Sequence, residues 1–257
     1  MGSVLLQRDG PIATVILANS GKLNAIDIAM WRGLASTFRT LSQDESLRCV
    51  IVRGEGNNFA AGADIAEFPA QRNSTGQGLT YHNDIIGPAL DAMTNGLHPT
   101  IAAIDGVCVG GGLEIACACD LRIAAPSSRF GIPIRRLGFA LAPTEMQSLL
   151  QLIGLAATLE ILLEGRVFDA SEAMQKGLLH RIVDDVHDEA HQTAERIAAG
   201  APLAARINRK LARRLSPLPD TLSLQERTEA YKLLDSNDYH EGIGAFLDRR
   251  KPSFTGN

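Results

Sequence analysis

The feature of this 257-residue chain that most constrains its fold is an order that occurs twice: an apolar run rich in β-branched residues, a glycine turn, then a helical segment. Leu47 to Val52 leads into Phe59-Ala-Ala-Gly-Ala-Asp-Ile65. Thr100 to Ile104 ends in Asp105-Gly106 and passes through Val107 to Val109 into Gly110-Gly-Gly-Leu-Glu114, which opens an apolar helix. Such repetition argues for an α/β architecture with ligands at the strand ends. Upstream, Val4 to Gln7 and Ile12 to Leu17 predict a hairpin turning at Asp9-Gly10. Asp27 is the expected cap of a helix running to Leu41, because Met30, Leu34, Phe38 and Leu41 recur at helical spacing. From Met146 onward the chain reads as mostly helical, punctuated by Gly154, Gly165 and Gly177 and by Pro202, Pro217 and Pro219. The polar stretch Pro69 to Gly78 reads as a mobile segment, either a lid over a site or a simple loop.

Composition narrows the function classes. With 45% hydrophobic and 21% charged residues the chain can bury one large core, or a core with an appendage. A net charge of -4 offers no global basic surface, so nucleic acid is not an expected partner. Cys49, Cys108, Cys117 and Cys119 sit among apolar or small residues and read as reduced core residues. No uninterrupted run reaches the ~20 apolar residues of a membrane span, and the N-terminus shows no signal-peptide pattern. A cytoplasmic protein is expected. His187-Asp-Glu-Ala-His191 lacks the zinc-binding order and reads as a solvated helix face, so no metal site is expected. Ile115 stands where a dinucleotide fingerprint needs its third glycine. Arg135-Arg136 and Arg213-Arg214 read as solvent-facing pairs.

The two glycine segments carry the chemistry. Small residues let a substrate approach the backbone closely, and each segment is expected to leave an unpaired N–H at the same spot. That arrangement suits an enzyme that forms an enolate or a tetrahedral oxyanion. Glu114 follows one helical turn after its glycines, in a segment otherwise apolar and small, where an unpartnered carboxylate is costly to bury.

These residues, in this order, resemble the crotonase superfamily, the enoyl-CoA hydratase/isomerase group, over essentially the whole chain. The resemblance rests on Asn24-Ala25, on Phe59 to Phe68, on Ile104 through Cys119-Asp120-Leu-Arg122, on Arg129-Phe-Gly-Ile-Pro133 with Leu137-Gly138, and on Ala245-Phe246 to Lys251-Pro252. It implies a crotonase-like spiral of repeated β-β-α units with a helical C-terminal region, divided as a core over residues 1–196 and a trimerisation region over 197–257. It further implies an acyl-CoA thioester substrate, coenzyme A entering as part of that substrate with no separate cofactor, and a homotrimer or dimer of trimers. By position, Ala63 and Gly111 would hold the thioester oxygen, and Glu114 would be the principal acid/base. Ala25, Ala61, Asp64 and Ile65 would line the coenzyme A path, though Asp64 is equally a helix cap. Phe246 and Arg249 would reach the coenzyme A of a neighbouring subunit, though Arg249 is equally a solvated charge. Trp31, Phe59, Phe68, Tyr81 and Phe139 are candidate acyl-pocket residues or plain core.

The departures matter as much. Twenty residues past Glu114, where family hydratases carry a second glutamate, stands Ile134; the site used by isomerases is Ala142. Glu145 is the only carboxylate in that neighbourhood, two residues after Pro143. It reads either as an acid at a helix start or as an active-site acid. One carboxylate serves an isomerase, while hydration is best served by two. The expected function is therefore hydratase or isomerase chemistry on a 2- or 3-enoyl-CoA. A non-catalytic acyl-CoA-binding protein and a thioesterase or decarboxylase on the same scaffold are the alternatives.

Overall fold

The structure is a computed structural model in which residues 1–216 and 223–255 are described; Pro217 and Pro219 lie outside them. Among the described residues the strands are β1 (Ser3–Asp9), β2 (Ile12–Ala18), β3 (Cys49–Gly54), β4 (Thr100–Ile104), β5 (Val107–Val109), β6 (Leu121–Ala124), β7 (Arg129–Gly131), β8 (Phe168–Asp169) and β9 (Arg181–Ile182). The larger sheet runs β1-β2-β3-β4-β6-β9 and the smaller β5-β7-β8. β1 and β2 form the predicted antiparallel hairpin, and every later neighbour in the larger sheet is parallel. A bridge from Ala60 to Cys108 extends the smaller sheet by one contact. Each turn of the chain thus lays one strand on the larger sheet (β3, β4, β6), then steps to the smaller (Ala60, β5, β7), then enters a helical segment. This is the expected spiral of β-β-α units.

Alternation sorts the cores. Val50, Val52, Ala102 and Ile104 face the main core with Met30, Trp31 and Leu34 of the helix Ile28–Leu41. Cys49, Ile51, Ile101 and Ala103 face a smaller core under the helix Val186–Ala198. Strands covered on both faces read as continuous apolar runs, which is why β3 and β4 were visible in sequence. Asp27 caps its helix as expected, accepting from the Met30 N–H at 2.8 Å. All four cysteines are buried and free, and burial pushes the thiols of Cys49, Cys117 and Cys119 up to about 12.

Two expectations are corrected. Pro69 to Gly78 is not a loop. It holds the helices Phe68–Gln71 and Thr75–Thr80 and continues through a π-helical turn, Tyr81–Ile86, into the helix Gly87–Thr94. Ser74 caps the second of these, the Thr75 N–H donates to Asp235 Oδ1 at 3.0 Å, and the Tyr239 O–H donates to the Arg72 carbonyl at 2.7 Å. Among the described residues the chain from Met146 onward is mostly helical as expected, interrupted by β8, which joins the smaller sheet, and β9, which joins the larger. Arg213 is not solvent-facing: it and Arg209 pair with Asp120, at 2.7 and 2.6 Å.

The C-terminal segments pack back onto their own chain, and Tyr231, Leu234, Tyr239, Ile243 and Ala245 belong with the buried residues of the body. By length and hydropathy the helix Pro143–Glu164 is apolar enough to cross a membrane. Gly154 breaks it with φ +71°, and Glu145 in its first turn is buried in the protein.

Candidate active site

Two backbone donors come together where the glycine segments meet. The Ile26 N–H donates to the Gly62 carbonyl at 2.7 Å and the Asp64 N–H to the Ile26 carbonyl at 2.9 Å, so the chain is clamped on either side of Ala63. On the other segment, Gly110 takes φ +49° and ψ -124° before the helix Gly111–Ala118 begins. Gly62, at φ +96°, makes the facing turn. Both are backbone conformations that a side chain would strain. A Cβ placed on Gly111 would stand 3.6 Å from the Ala63 nitrogen, so the two amides are immediate neighbours. Neither N–H has an acceptor among the described residues. The Gly111 donor also sits at the positive end of a helix.

Glu114 lies one turn further along this helix and is 8% exposed; Glu145, in the first turn of the helix Pro143–Glu164, is 3% exposed. Burial first, and then the Glu145 charge, push the Glu114 carboxyl well above the ordinary carboxylate range, against the pull of Arg72. Burial likewise pushes Glu145 up to about 7, against Arg72 and a hydrogen bond from the Ala142 backbone. Ile134 and Ala142, where family members place acids, are here buried apolar residues of the main core. Glu145 is an acid at a helix start, and it is buried where its charge acts on Glu114.

His82, 3% exposed, went unrecognised in the sequence. It projects from the π-helical turn and its Nδ1 lies 2.5 Å from Glu145 Oε1. Nε2 is buried without a partner. If Nδ1 carries the proton and donates to the carboxylate, Nε2 is a bare lone pair. The other tautomer would bury an unpaired N–H, which costs more. Burial, and next the Arg72 charge, hold the imidazole well below its usual pKa, so the ring is neutral. It stacks on Tyr231 at 5.2 Å and 15° and meets Tyr81 edge-on.

Arg72 is the second unrecognised residue. Its guanidinium lies 3.8 Å from the centre of the Phe139 ring, 4.7 Å from Phe68 and 5.8 Å from Tyr81. Cation–π contacts of this kind are worth about 2 kcal/mol each when desolvated, while burying a cation costs several kcal/mol. Burial lowers its proton affinity, opposed by Tyr239, Tyr81, Glu145 and Glu114. A guanidinium stays charged nonetheless. Only a long-range contact connects Phe68, Tyr81 and Phe139 in sequence, so the cluster had no local signal. Trp31 and Phe59 are fully buried core, Trp31 lying under Gly111.

The residues expected along the coenzyme A path surround the Ala63 turn. Ala25 is buried behind Asn24, whose amide donates to the Glu55 and Asn58 carbonyls at 2.9 and 2.8 Å. The Ala61 N–H donates to Leu23 at 3.0 Å. Asp64 caps the short 3-10 helix Ile65–Glu67 and pairs with Lys22 at 2.5 Å. Lys22, a half-exposed cation beside the turn, is a residue that the sequence reasoning passed over. Phe246, 55% exposed, and Arg249 stand at the outer end of the helix Asn237–Leu247, facing solvent. Among the described residues no group of His, Cys, Asp and Glu could hold a metal.

Comparison with known proteins identifies the family. The family model "Enoyl-CoA hydratase/isomerase" matches residues 7–257. A probable enoyl-CoA hydratase of Mycobacterium tuberculosis is 34% identical, over 98% of each chain. Among solved structures, an enoyl-CoA hydratase/carnithine racemase from Magnetospirillum magneticum is 46% identical with a TM-score of 0.82, covering 100% of this chain and 97% of its own. A methylmalonyl-CoA decarboxylase in complex with 2-nitronate-propionyl-CoA is 28% identical with a TM-score of 0.87, covering 99% of both. Two donors free at the joined glycine turns, and a match over nearly the whole length, lead to one conclusion: the chain belongs to the enoyl-CoA hydratase/isomerase family.

Proposed function

We propose that the protein adds water across the double bond of a 2-enoyl-CoA, with Glu114 and Glu145 as the acid/base pair. The observation that carries this reading is the second buried carboxyl, Glu145, brought into the field of Glu114 although the usual partner position holds Ile134. The Ala63 and Gly111 N–H groups donate to the thioester oxygen. Glu145, held ionised by the His82 N–H and the Ala142 backbone, takes a proton from water as its oxygen attacks C3. The electron pair moves through C2 to the thioester oxygen, where the two amides stabilise the enolate. C2 then takes the proton of Glu114, and transfer from Glu145 to Glu114 resets the pair. Shuttling of one proton by the same pair also suits double-bond isomerisation.

The test is turnover of crotonyl-CoA by Glu114→Gln and Glu145→Gln. Each is expected to lose about 100-fold or more in kcat, the usual worth of a positioned acid or base, while still binding the thioester. Full activity in Glu145→Gln would remove it from the mechanism. A decarboxylase reading is favoured by the TM-score of 0.87 to the methylmalonyl-CoA decarboxylase structure. It needs the two amides to hold the enolate left as carbon dioxide departs and one proton for C2, which water can supply, so carbon dioxide release that survives both substitutions would support it.

Coenzyme A belongs to the substrate in this proposal, with no further cofactor. Its path would follow Ala25, Ala61, Asp64 and Ile65, with Lys22 exchanging its pairing to Asp64 for a phosphate. The chain would assemble as a homotrimer, or a dimer of trimers, with Phe246 and Arg249 turned toward a neighbouring subunit. Four buried free cysteines favour a reducing compartment, the cytoplasm.

A further inference from the structure

Arg72 has a hydrogen-bonding capacity that nothing among the described residues uses. It keeps 1% of its accessible surface, yet its guanidinium donates to no acceptor among the described residues, and its Nε is buried with no partner. Among the described residues no carboxylate lies within ion-pair distance: Glu145 is taken by His82, and Glu114 acts on Arg72 only through its field. The rings of Phe139 and Phe68 cover faces of the guanidinium, and ring faces accept none of its in-plane N–H bonds. What remains is the planar fork of donors, whose shape and charge match one carboxylate.

Its place in the fold gives that fork a purpose. Arg72 follows the short helix that starts at Phe68, five residues after Ala63, and its neighbour Tyr81 adjoins His82, which holds Glu145. It therefore lies in one buried cluster with the proposed acid/base pair, whose charges it feels. A phosphate brings a larger charge and a tetrahedral shape. One planar cation walled by aromatic rings fits one planar anion.

We propose that Arg72 binds a carboxylate carried by the acyl chain, so that the substrate is the CoA thioester of an unsaturated dicarboxylic acid. The assignment rests on the reading that places the thioester oxygen at Ala63 and Gly111. It also assigns the protein a place in sequence, after a reaction that makes a double bond in a dicarboxylic acyl-CoA.

The test compares acyl chains of equal length. Calorimetric binding to the full-length wild-type protein of glutaryl-CoA and of pentanoyl-CoA, neither of which can be hydrated, is expected to favour glutaryl-CoA by about tenfold or more, as a charge-assisted pair should. Turnover of glutaconyl-CoA against 2-pentenoyl-CoA should show the same preference in kcat/KM. Arg72→Met is expected to abolish the preference and Arg72→Lys to keep part of it. Equal binding of the two saturated thioesters by wild type overturns the assignment, whatever the variants do. So does a preference that survives in folded Arg72→Met. If glutaryl-CoA is preferred but neither enoyl thioester is hydrated, the hydratase reading falls and the carboxylate site stands. If 2-pentenoyl-CoA is hydrated without any carboxylate preference, the reverse holds.

Discussion

A neutral imidazole beside a carboxyl with a raised pKa sets how this site should respond to pH. Glu145 must be ionised to accept a proton from water, and the groups that face it are Glu114, Arg72, His82 and the Ala142 N–H. Activity should therefore rise through an acid limb near pH 7, where Glu145 loses its proton. His82 acts as a positioning residue, since its N–H favours the charged carboxylate. His82→Phe keeps a ring to stack on Tyr231 and removes the donor. The acid limb of kcat/KM is expected to move up by about one pH unit or more, given the ~1.5–3 kcal/mol of a hydrogen bond to a charged group. A purely structural role would lower the rate and leave the limb in place. Stability follows with the opposite sense from a salt-bridged acid. The folded pKa of Glu145 lies above its unfolded value, so the native state binds more protons and stability falls as pH rises from about 4.5 through about 7. Glu145→Gln lacks this loss, and its urea midpoint should gain on wild type between pH 5 and 8. At this scale the two glycine turns and the lone acid Glu114 in an apolar run were legible as local signals, while the choice of Ala63 and Gly111 within those turns came from the family resemblance. His82 and Arg72 are 63 and 67 residues from Glu145 and Phe139, and only the fold supplies their partners.

Among the elements, the helix Pro202–Leu215 turns an unusual face to the body. Arg206 donates to the Glu45 and Leu47 carbonyls, and Arg209 to those of Met93, Thr94 and Gly96 at the end of the helix Gly87–Thr94, where a cation satisfies orphan carbonyls and the dipole. Arg209 and Arg213 converge on Asp120, which also accepts from the Thr100 N–H and hydroxyl at the start of β4. Burial would raise the Asp120 pKa, but the two arginines outweigh it and hold the carboxyl below its usual range. That contribution is present above the unfolded carboxylate pKa and is lost as pH falls through the folded one. Asp120→Ala leaves two partly buried cations unpaired and should cost about 3 kcal/mol in chemical denaturation; a cost below ~1 kcal/mol would mean that water satisfies the arginines. The hairpin, the helix from Asp27 and the run Thr100 to Ile104 were legible because turn residues, caps and apolar period agree there. β8 and β9, two residues each, are too short to show a period. Pro69 to Gly78 misled because polar and glycine-rich composition signals a loop, whereas contacts with Asp235 and Tyr239, over 150 residues away, hold it helical.

For the molecule as a whole, those inward arginines leave the apolar side of the same helix facing out. Leu203, Ile207, Leu211 and Leu215 recur every fourth residue and are 71, 53, 50 and 79% exposed. A stripe of this kind on one helix is more than scattered surface leucines, and burying each such side chain is worth about 1.5–3 kcal/mol. Leu155, Leu159 and Leu163 form a second exposed stripe on the helix Pro143–Glu164. The proposed homotrimer would cover apolar surface that the single chain leaves in water. Wild-type protein is expected to sediment at three times the 27.5 kDa chain mass, or at six times for a dimer of trimers. Ile207→Glu with Leu211→Glu places two carboxylates in the stripe, away from Ala63, Gly111, Glu114 and Glu145, and should shift sedimentation toward the single chain. Because Phe246 and Arg249 would serve a neighbouring subunit, the dissociated variant should also show a raised KM for the thioester while kcat changes less. Wild type sedimenting as a single chain would dismiss the assembly. A double variant that remains assembled would move the interface to another face.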